Sequence, residues 1–192
     1  SMVVKGDAHF YFSEIITSPE LYFLSLKIQN SDKEVGAIPF FAEAGDISIN
    51  TKLNDFLGNA IIRVSKNQKK YTEYKTLIKR YTKKNKSLTG QLIEAAKEKN
   101  MRAVDSIDQQ QKRVLTSSYL ATVNYALNNK DYEIAPFLAL SEIYNANTKY
   151  LDTIYKTLTP RIKASTYGVA LKDFLEEIKK EEDLNSEREW SY

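Results

Sequence analysis

The side chains that most often perform nucleophilic or metal chemistry are scarce in this chain of 192 residues. It has no cysteine and one histidine, His9, which excludes a thiolate metal site, a cysteine nucleophile and a site built from several histidines. His9 stands beside Phe10 and Tyr11, with no serine or carboxylate at a spacing that would orient it as a base. We therefore expect a structural or simply exposed histidine, and neither a catalytic residue nor a metal or cofactor.

A basic segment is the clearest candidate for binding. Residues 66–86 contain nine Lys or Arg and one acid, Glu73. Tyrosines interleaved with lysines are typical of surfaces that stack nucleic-acid bases and follow phosphates. These tyrosines recur at helical spacing with Ile78, however, which favours packing onto a core while the lysines face solvent. The candidate interaction surface on this segment comprises Tyr71, Tyr74, Lys75, Lys79 and Lys83.

The partner of such a surface would be anionic. An acidic glycan, an anionic lipid surface or another polyanion fits its charge, and exposed tyrosines such as Tyr71 or Tyr74 would contact a glycan or polyanion. Nucleic acid is disfavoured, because the net charge of the whole chain is only +3.

Carboxylates near the end of the chain are the last candidates for acid–base chemistry. Residues 176–189 contain seven acids against three basic residues. A pair of carboxylates can hydrolyse a glycosidic bond only in a concave, partly desolvated site that separates their pKa values. A solvated run of charges is the favoured interpretation, and a carboxylate-based hydrolase is the weaker alternative.

The elements that would position these residues begin with short strands. Alternating apolar residues predict strands over 21–28 and 37–43, and Pro39 requires an edge or a bulge. An aromatic-rich run predicts a strand over 8–15 before them, and shorter strands are predicted over 46–50 and 60–64. Tight turns between such strands indicate an antiparallel meander.

Beyond residue 67 the apolar period changes from two to about 3.6, the period of a helix. A first helix carries the tyrosine stripe, and further helices are predicted over 88–114, 115–127, 134–144 and 150–158. Pro160 marks the next boundary, and Ser165 is a suitable N-cap for a last helix.

These elements predict an α+β fold, in which a short antiparallel β-sandwich or half-barrel precedes a bundle of about five to six helices. We expect a β subdomain over 1–66 and a helical subdomain over 67–192, folding as one cooperative unit. No apolar run approaches the ~20 residues of a membrane-spanning helix.

Several segments in order resemble a known family. They are residues 3–12, 18–22, 39–49, 67–74 and 158–168, so that the likeness extends over roughly residues 3–178. Together they resemble a Bacteroidetes domain of unknown function that precedes thioredoxin-like (AhpC/TSA-type) thiol-disulfide domains in envelope proteins. Because this chain has no cysteine, no catalytic residue of those neighbouring domains can be transferred to it.

The resemblance implies a non-catalytic domain of the periplasm or cell envelope, secreted or lipid-anchored. Its expected role is that of a scaffold or protein-interaction module, with an envelope protein, such as a thioredoxin-like one, as partner. Family members carry further strands before the segment that starts here, which implies an unpaired edge near residues 8–15. That edge would be open to homodimerisation or to strand addition.

Overall fold

The computed structural model describes residues 9–28, 34–63 and 65–189. The described strands form two antiparallel pairs, β1 (Glu20–Lys27) with β2 (Glu34–Ala42) and β3 (Ser48–Asn50) with β4 (Ile61–Arg63). Six helices follow them: α1 (Lys66–Lys97), α2 (Met101–Asn128), α3 (Ile134–Ser141), α4 (Thr148–Thr157), α5 (Pro160–Lys163) and α6 (Thr166–Glu189). The predicted α+β class, with short antiparallel strands followed by a helical bundle, is confirmed.

The register of the β1–β2 pair fixes which backbone groups face outward. Leu21 pairs with Phe41, and the N–H groups of both point away from the ladder. The Leu21 N–H donates to the Tyr167 hydroxyl, and the Phe41 N–H donates to the Gln68 side-chain oxygen, each over 3.0 Å. Outward positions alternate along an antiparallel pair, so Pro39 is also outward and costs no ladder bond. The edge position predicted for Pro39 is confirmed.

A strand was predicted over residues 8–15, but residues 9–15, the part that the structure describes, form no strand. Phe10 and Phe12 contact each other edge to face at 5.6 Å, but Tyr11 and Ile15 are exposed. Aromatic residues favour a strand only when a neighbouring strand covers one face, and no described strand pairs with this segment. Ala8 and Val64, the first and last residues of two predicted strands, lie outside the described residues.

The first two helices are longer than predicted. α1 continues through the boundary expected before residue 88, and α2 continues through the one expected at residue 114, so both of these boundaries are wrong. The chain instead reverses at Glu98–Asn100, where Lys99 takes a left-handed backbone conformation with φ 56°. The Asn100 side chain then accepts a hydrogen bond from the Ala103 N–H and caps α2.

Residues 81–117 of α1 and α2 form an antiparallel helical hairpin, here called the arm. Its apolar core comes from these two helices alone: Leu88, Ala95 and Ile107, with Leu92, Ala103, Val104 and Val114 packed against them. The α1 side of the arm has a length of about 25 Å at the usual helical rise. The arm is therefore held by contacts within itself.

The body of the molecule surrounds α3, whose residues Ile134–Ala139 are all buried. Phe41 of β2 packs edge to face on Phe137 of α3, with ring centroids 5.3 Å apart, and this contact joins the sheet to the helices. The Ser165 hydroxyl accepts from the Gly168 N–H and confirms the predicted cap of α6. No helix in the described ranges is long and apolar enough to cross a membrane.

Candidate functional site

The structure separates the tyrosines of the predicted surface from its lysines. Lys75, Lys79 and Lys83 are exposed on α1. Tyr74 is 2% exposed, and its hydroxyl lies 3.0 Å from the Thr122 hydroxyl of α2. Burial raises the pKa of the Tyr74 hydroxyl far above its ordinary value. The residues thus share a helix, but Tyr74 belongs to the core and cannot contact a ligand.

Tyr71 lies between these two environments. Its ring is half-buried against Phe41 and Phe137, both in edge-to-face contact. Burial raises the pKa of the Tyr71 hydroxyl, and the nearby Glu142 carboxylate raises it further by a smaller amount. The Lys75 ammonium lies 4.5 Å from the centre of the Tyr71 ring, a cation–π contact. The packing interpretation of the tyrosine stripe therefore describes this helix better than the stacking interpretation.

A cleft of about 320 Å³ opens between β2, β4 and the start of α1. Its lining is largely apolar, with Lys75 among the polar residues: Ile38, Pro39, Leu57, Ala60, Ile61, Ile62, Gln68, Thr72 and Lys75. Burial lowers the pKa of the Lys75 ammonium. The cleft brings together parts of the two sheets and one predicted site residue, Lys75.

A buried polar network at the start of α1 was not predicted from the sequence. The Asn67 side-chain N–H₂ donates to the carboxylates of Glu43 and Glu133, over 3.1 and 2.8 Å, and its oxygen accepts from the Ile134 N–H. The Arg161 guanidinium donates to the other oxygen of Glu133. Glu43 also accepts from the backbone N–H groups of Lys66 and Asn67, which places a negative charge at the positive end of α1.

This network is suited to holding the fold together rather than to catalysis. Each oxygen of the Glu43 and Glu133 carboxylates already accepts a hydrogen bond from another part of the chain. Of the carboxylates of the weaker hydrolase alternative, Glu176, Glu177, Glu181 and Glu182 are exposed and form no desolvated pair. The side chains of the others, among them Asp183 and Glu187, lie outside the described part. Across the described ranges no group of three or more His, Cys, Asp or Glu could hold a metal ion.

The outer edge of β1 is open beyond Leu21. By the alternation of the register, the N–H groups of Phe23 and Ser25 point outward, as that of Leu21 does. Tyr167 covers Leu21, but neither Phe23 nor Ser25 has a hydrogen-bond partner for this N–H among the described residues. The Phe23 side chain is 62% exposed. This half of the strand is available for pairing with another chain.

Exposed apolar side chains are most frequent in the first third of the chain. Most of the large hydrophobic residues exposed in the described part fall within residues 9–63. They include Phe10, Tyr11, Phe12, Ile15, Tyr22, Phe23, Ile28, Leu53, Leu57 and Ile61. Of these, Tyr22 and Phe23 lie on β1 itself.

Comparison with known families concerns this same region. Residues 1–71 match the family described as Domain of unknown function (DUF4369). The predicted likeness to a domain of unknown function is confirmed over those residues, which include β1 to β4 and the first turns of α1. Its extension over the later helices stays a prediction. No curated protein and no solved structure matches the chain.

Proposed function

We propose that this chain is a non-catalytic interaction domain of the cell envelope that pairs a strand of a partner protein with the outer edge of β1. The open N–H groups of Phe23 and Ser25 carry this proposal. An extended peptide laid along them would gain backbone hydrogen bonds, and its side chains would meet the exposed Phe23 ring.

Within the part of the chain that the structure describes, β1 is the better edge of this sheet for such pairing, because by the same alternation Ala37 is the one residue of β2 between residues 37 and 41 with a free outward N–H. On β2, the outward N–H of Phe41 is already bonded to Gln68, and Pro39 has no N–H. On β1, the Leu21 N–H donates to the hydroxyl of Tyr167 in α6. The outward N–H groups farther along β1 have no partner among the described residues. The arrangement directs a partner to the second half of β1.

The envelope location and the class of partner rest on the resemblance described above. We propose a periplasmic or envelope-anchored protein whose partner is a thioredoxin-like protein or a second copy of this chain. The assignment as a non-enzyme is supported by the engagement of the buried carboxylates in structural hydrogen bonds.

The test compares the variants Ser25→Pro and Ser25→Ala. Proline removes one outward N–H without breaking the ladder, because the chain already accommodates Pro39 at an outward position of β2. Alanine removes the hydroxyl and keeps the N–H, so it is the matched control. Each purified protein is immobilised on a solid support and incubated with an extract of the native cell envelope. The proteins that it retains are identified after washing at high salt.

We expect wild type and Ser25→Ala to retain the same protein and Ser25→Pro to lose it. Sedimentation of the purified chain alone distinguishes a homodimer, which Ser25→Pro would dissociate, from a different partner. Equal retention by all three proteins would contradict pairing at this edge. Circular dichroism shows whether the proline variant keeps the wild-type fold.

A second candidate function is binding of a polyanion or carbohydrate through the lysines of α1. The exposure of Lys75, Lys79 and Lys83 favours it, but the burial of Tyr74 removes the expected stacking residue. It predicts that the variant Lys79→Gln/Lys83→Gln loses affinity for a sulfated glycan such as heparin by about tenfold, with a steep dependence on salt.

A further inference from the structure

A second groove lies on one side of the arm, away from the sheet edge. It has a volume of about 240 Å³ between α1 and α2, and it is lined by Tyr81, Lys84, Arg113, Val114 and Ser117. Arg80 lies beside it, where its guanidinium donates to the Tyr81 hydroxyl over 2.8 Å and sits 4.7 Å from the centre of the Tyr81 ring. We call this side of the hairpin, from Arg80 on α1 to Leu120 on α2, the basic flank.

The positive charges of the basic flank are not neutralised by neighbouring acids. Arg80, Lys84 and Arg113 form no ion pair within the described ranges, and α1 has no acid between Glu73 and Glu94. On α2, the acid nearest to Arg113 in sequence is Asp108, whose carboxylate is bonded to Lys112 over 2.8 Å. Mutual repulsion among these cations would be relieved by a bound anion.

A further contact between the two helices of the arm is uncharged. There the Gln111 side chain donates to Asn85 and Thr89, over 3.4 and 3.0 Å. The groove differs from this contact because two cations, Lys84 and Arg113, line it.

The basic flank also carries an exposed apolar side chain. Arg113, Ser117 and Leu120 follow one another at i, i+4 and i+7 and so share one face of α2. Leu120 is 41% exposed. Cations that flank an exposed leucine are typical of helices that lie in the headgroup region of a bilayer.

We infer that the basic flank binds the phosphate groups of an anionic lipid surface, with Arg80, Lys84 and Arg113 at the phosphates and Leu120 at the acyl boundary. Lipid fits better than nucleic acid, because the Tyr81 ring is half-buried and Arg80 occupies one of its faces, which leaves little of the ring for a base to stack on. This site is separate from the β1 edge and does not depend on the proposed partner.

The test measures sedimentation of the whole chain with vesicles of phosphatidylcholine alone or mixed with phosphatidylglycerol. We expect binding only to the anionic vesicles, weakening as salt is raised. The variant Lys84→Gln/Arg113→Gln should lose about tenfold in affinity. Lys86→Gln/Lys97→Gln, which removes the same charge from exposed positions of the arm outside the groove, should lose at most about threefold. Leu120→Ala should weaken binding without changing the charge.

Three results would overturn the inference. One is an equal loss in the two charge variants, which would assign binding to general charge. Another is displacement of the protein from vesicles by glycerol phosphate at the same phosphate concentration, which would indicate a site for a soluble phosphate. The third is tighter binding to single-stranded DNA than to anionic vesicles. The circular dichroism spectrum of each variant identifies any loss of fold, and Ser25→Pro should bind vesicles as wild type does.

Discussion

Asn67 joins three parts of the fold through one side-chain amide. Its two donors reach the carboxylates of Glu43, after β2, and Glu133, before α3, while its oxygen accepts the Ile134 N–H. Asparagine is suited to this position because it offers donors to two acids and an acceptor to a backbone N–H at the same time. Aspartate has nearly the same shape but can offer no donor when it is ionised.

The variant Asn67→Asp should therefore lose about 2–4 kcal/mol in the free energy of unfolding, because a third carboxylate would face two others in a buried site. Urea unfolding at neutral pH measures this loss. Its difference from wild type should shrink as the pH is lowered toward about 4, where the added carboxyl group takes up a proton.

Asn85→Asp is the control for added charge, since Asn85 is exposed and uses only its side-chain oxygen, which aspartate retains. We expect its stability to stay within about 0.5 kcal/mol of wild type. If both variants were equally stable, the network around Asn67 would not be holding the elements together.

No local pattern in the sequence indicates this network. Its members, Glu43, Asn67, Glu133 and Arg161, are far apart along the chain and meet only after the helices pack. The tyrosine stripe is different, because the spacing of Tyr74 and Ile78 depends only on the local helical period. Periodicity thus predicted the inner face of α1, whereas the polar contacts beneath it depend on tertiary structure.

At the scale of the element, the reversal between α1 and α2 shows that the position of a glycine does not always mark a turn. The turn uses Lys99 in a left-handed conformation, while Gly90 lies inside α1 with open space around it. Glycine adopts positive φ without the steric cost that a Cβ imposes, so it is the residue usually found at such a reversal. Because neither glycine nor proline marks residues 98–100, the sequence carries no local signal for the true boundary between α1 and α2.

The variant Lys99→Gly should raise the free energy of unfolding of the arm by about 0.5–1 kcal/mol, because glycine relieves the steric cost of the left-handed conformation. Hydrogen exchange of the arm amides reports this local stability directly. Lys99→Ala removes the same charge but keeps the Cβ, so it should give no comparable gain. A gain of equal size in the alanine variant would assign the effect to charge instead.

At the scale of the whole molecule, the region that matches the family is not a complete folding unit in this chain. Phe41 is 0% exposed, and its ring contacts Phe137 and Tyr167, both of which lie beyond residue 71. Asn67 likewise bonds to Glu133 and Ile134. The sheet region is thus completed by the helices that follow it.

A fragment of residues 1–71 should fail to unfold cooperatively, because it leaves the Phe41 face of β2 in water. Thermal denaturation followed by near-ultraviolet circular dichroism checks this expectation. The matched control replaces the arm, residues 81–117, with a short Gly/Ser linker; it should still unfold cooperatively, since the arm packs on itself. Cooperative unfolding of the 1–71 fragment would show that the sheet region is independent.

The proline at residue 39 also limits how large an assembly of this protein can grow. A sheet with two open edges can add copies at both sides and extend into a fibre. Here β2 has no N–H at Pro39 and a side-chain bond at Phe41, which leaves Ala37 as its free outward N–H between residues 37 and 41, so growth of this sheet is favoured from β1. Two copies joined through β1 would each use the better edge of this sheet, and growth beyond the dimer would be disfavoured.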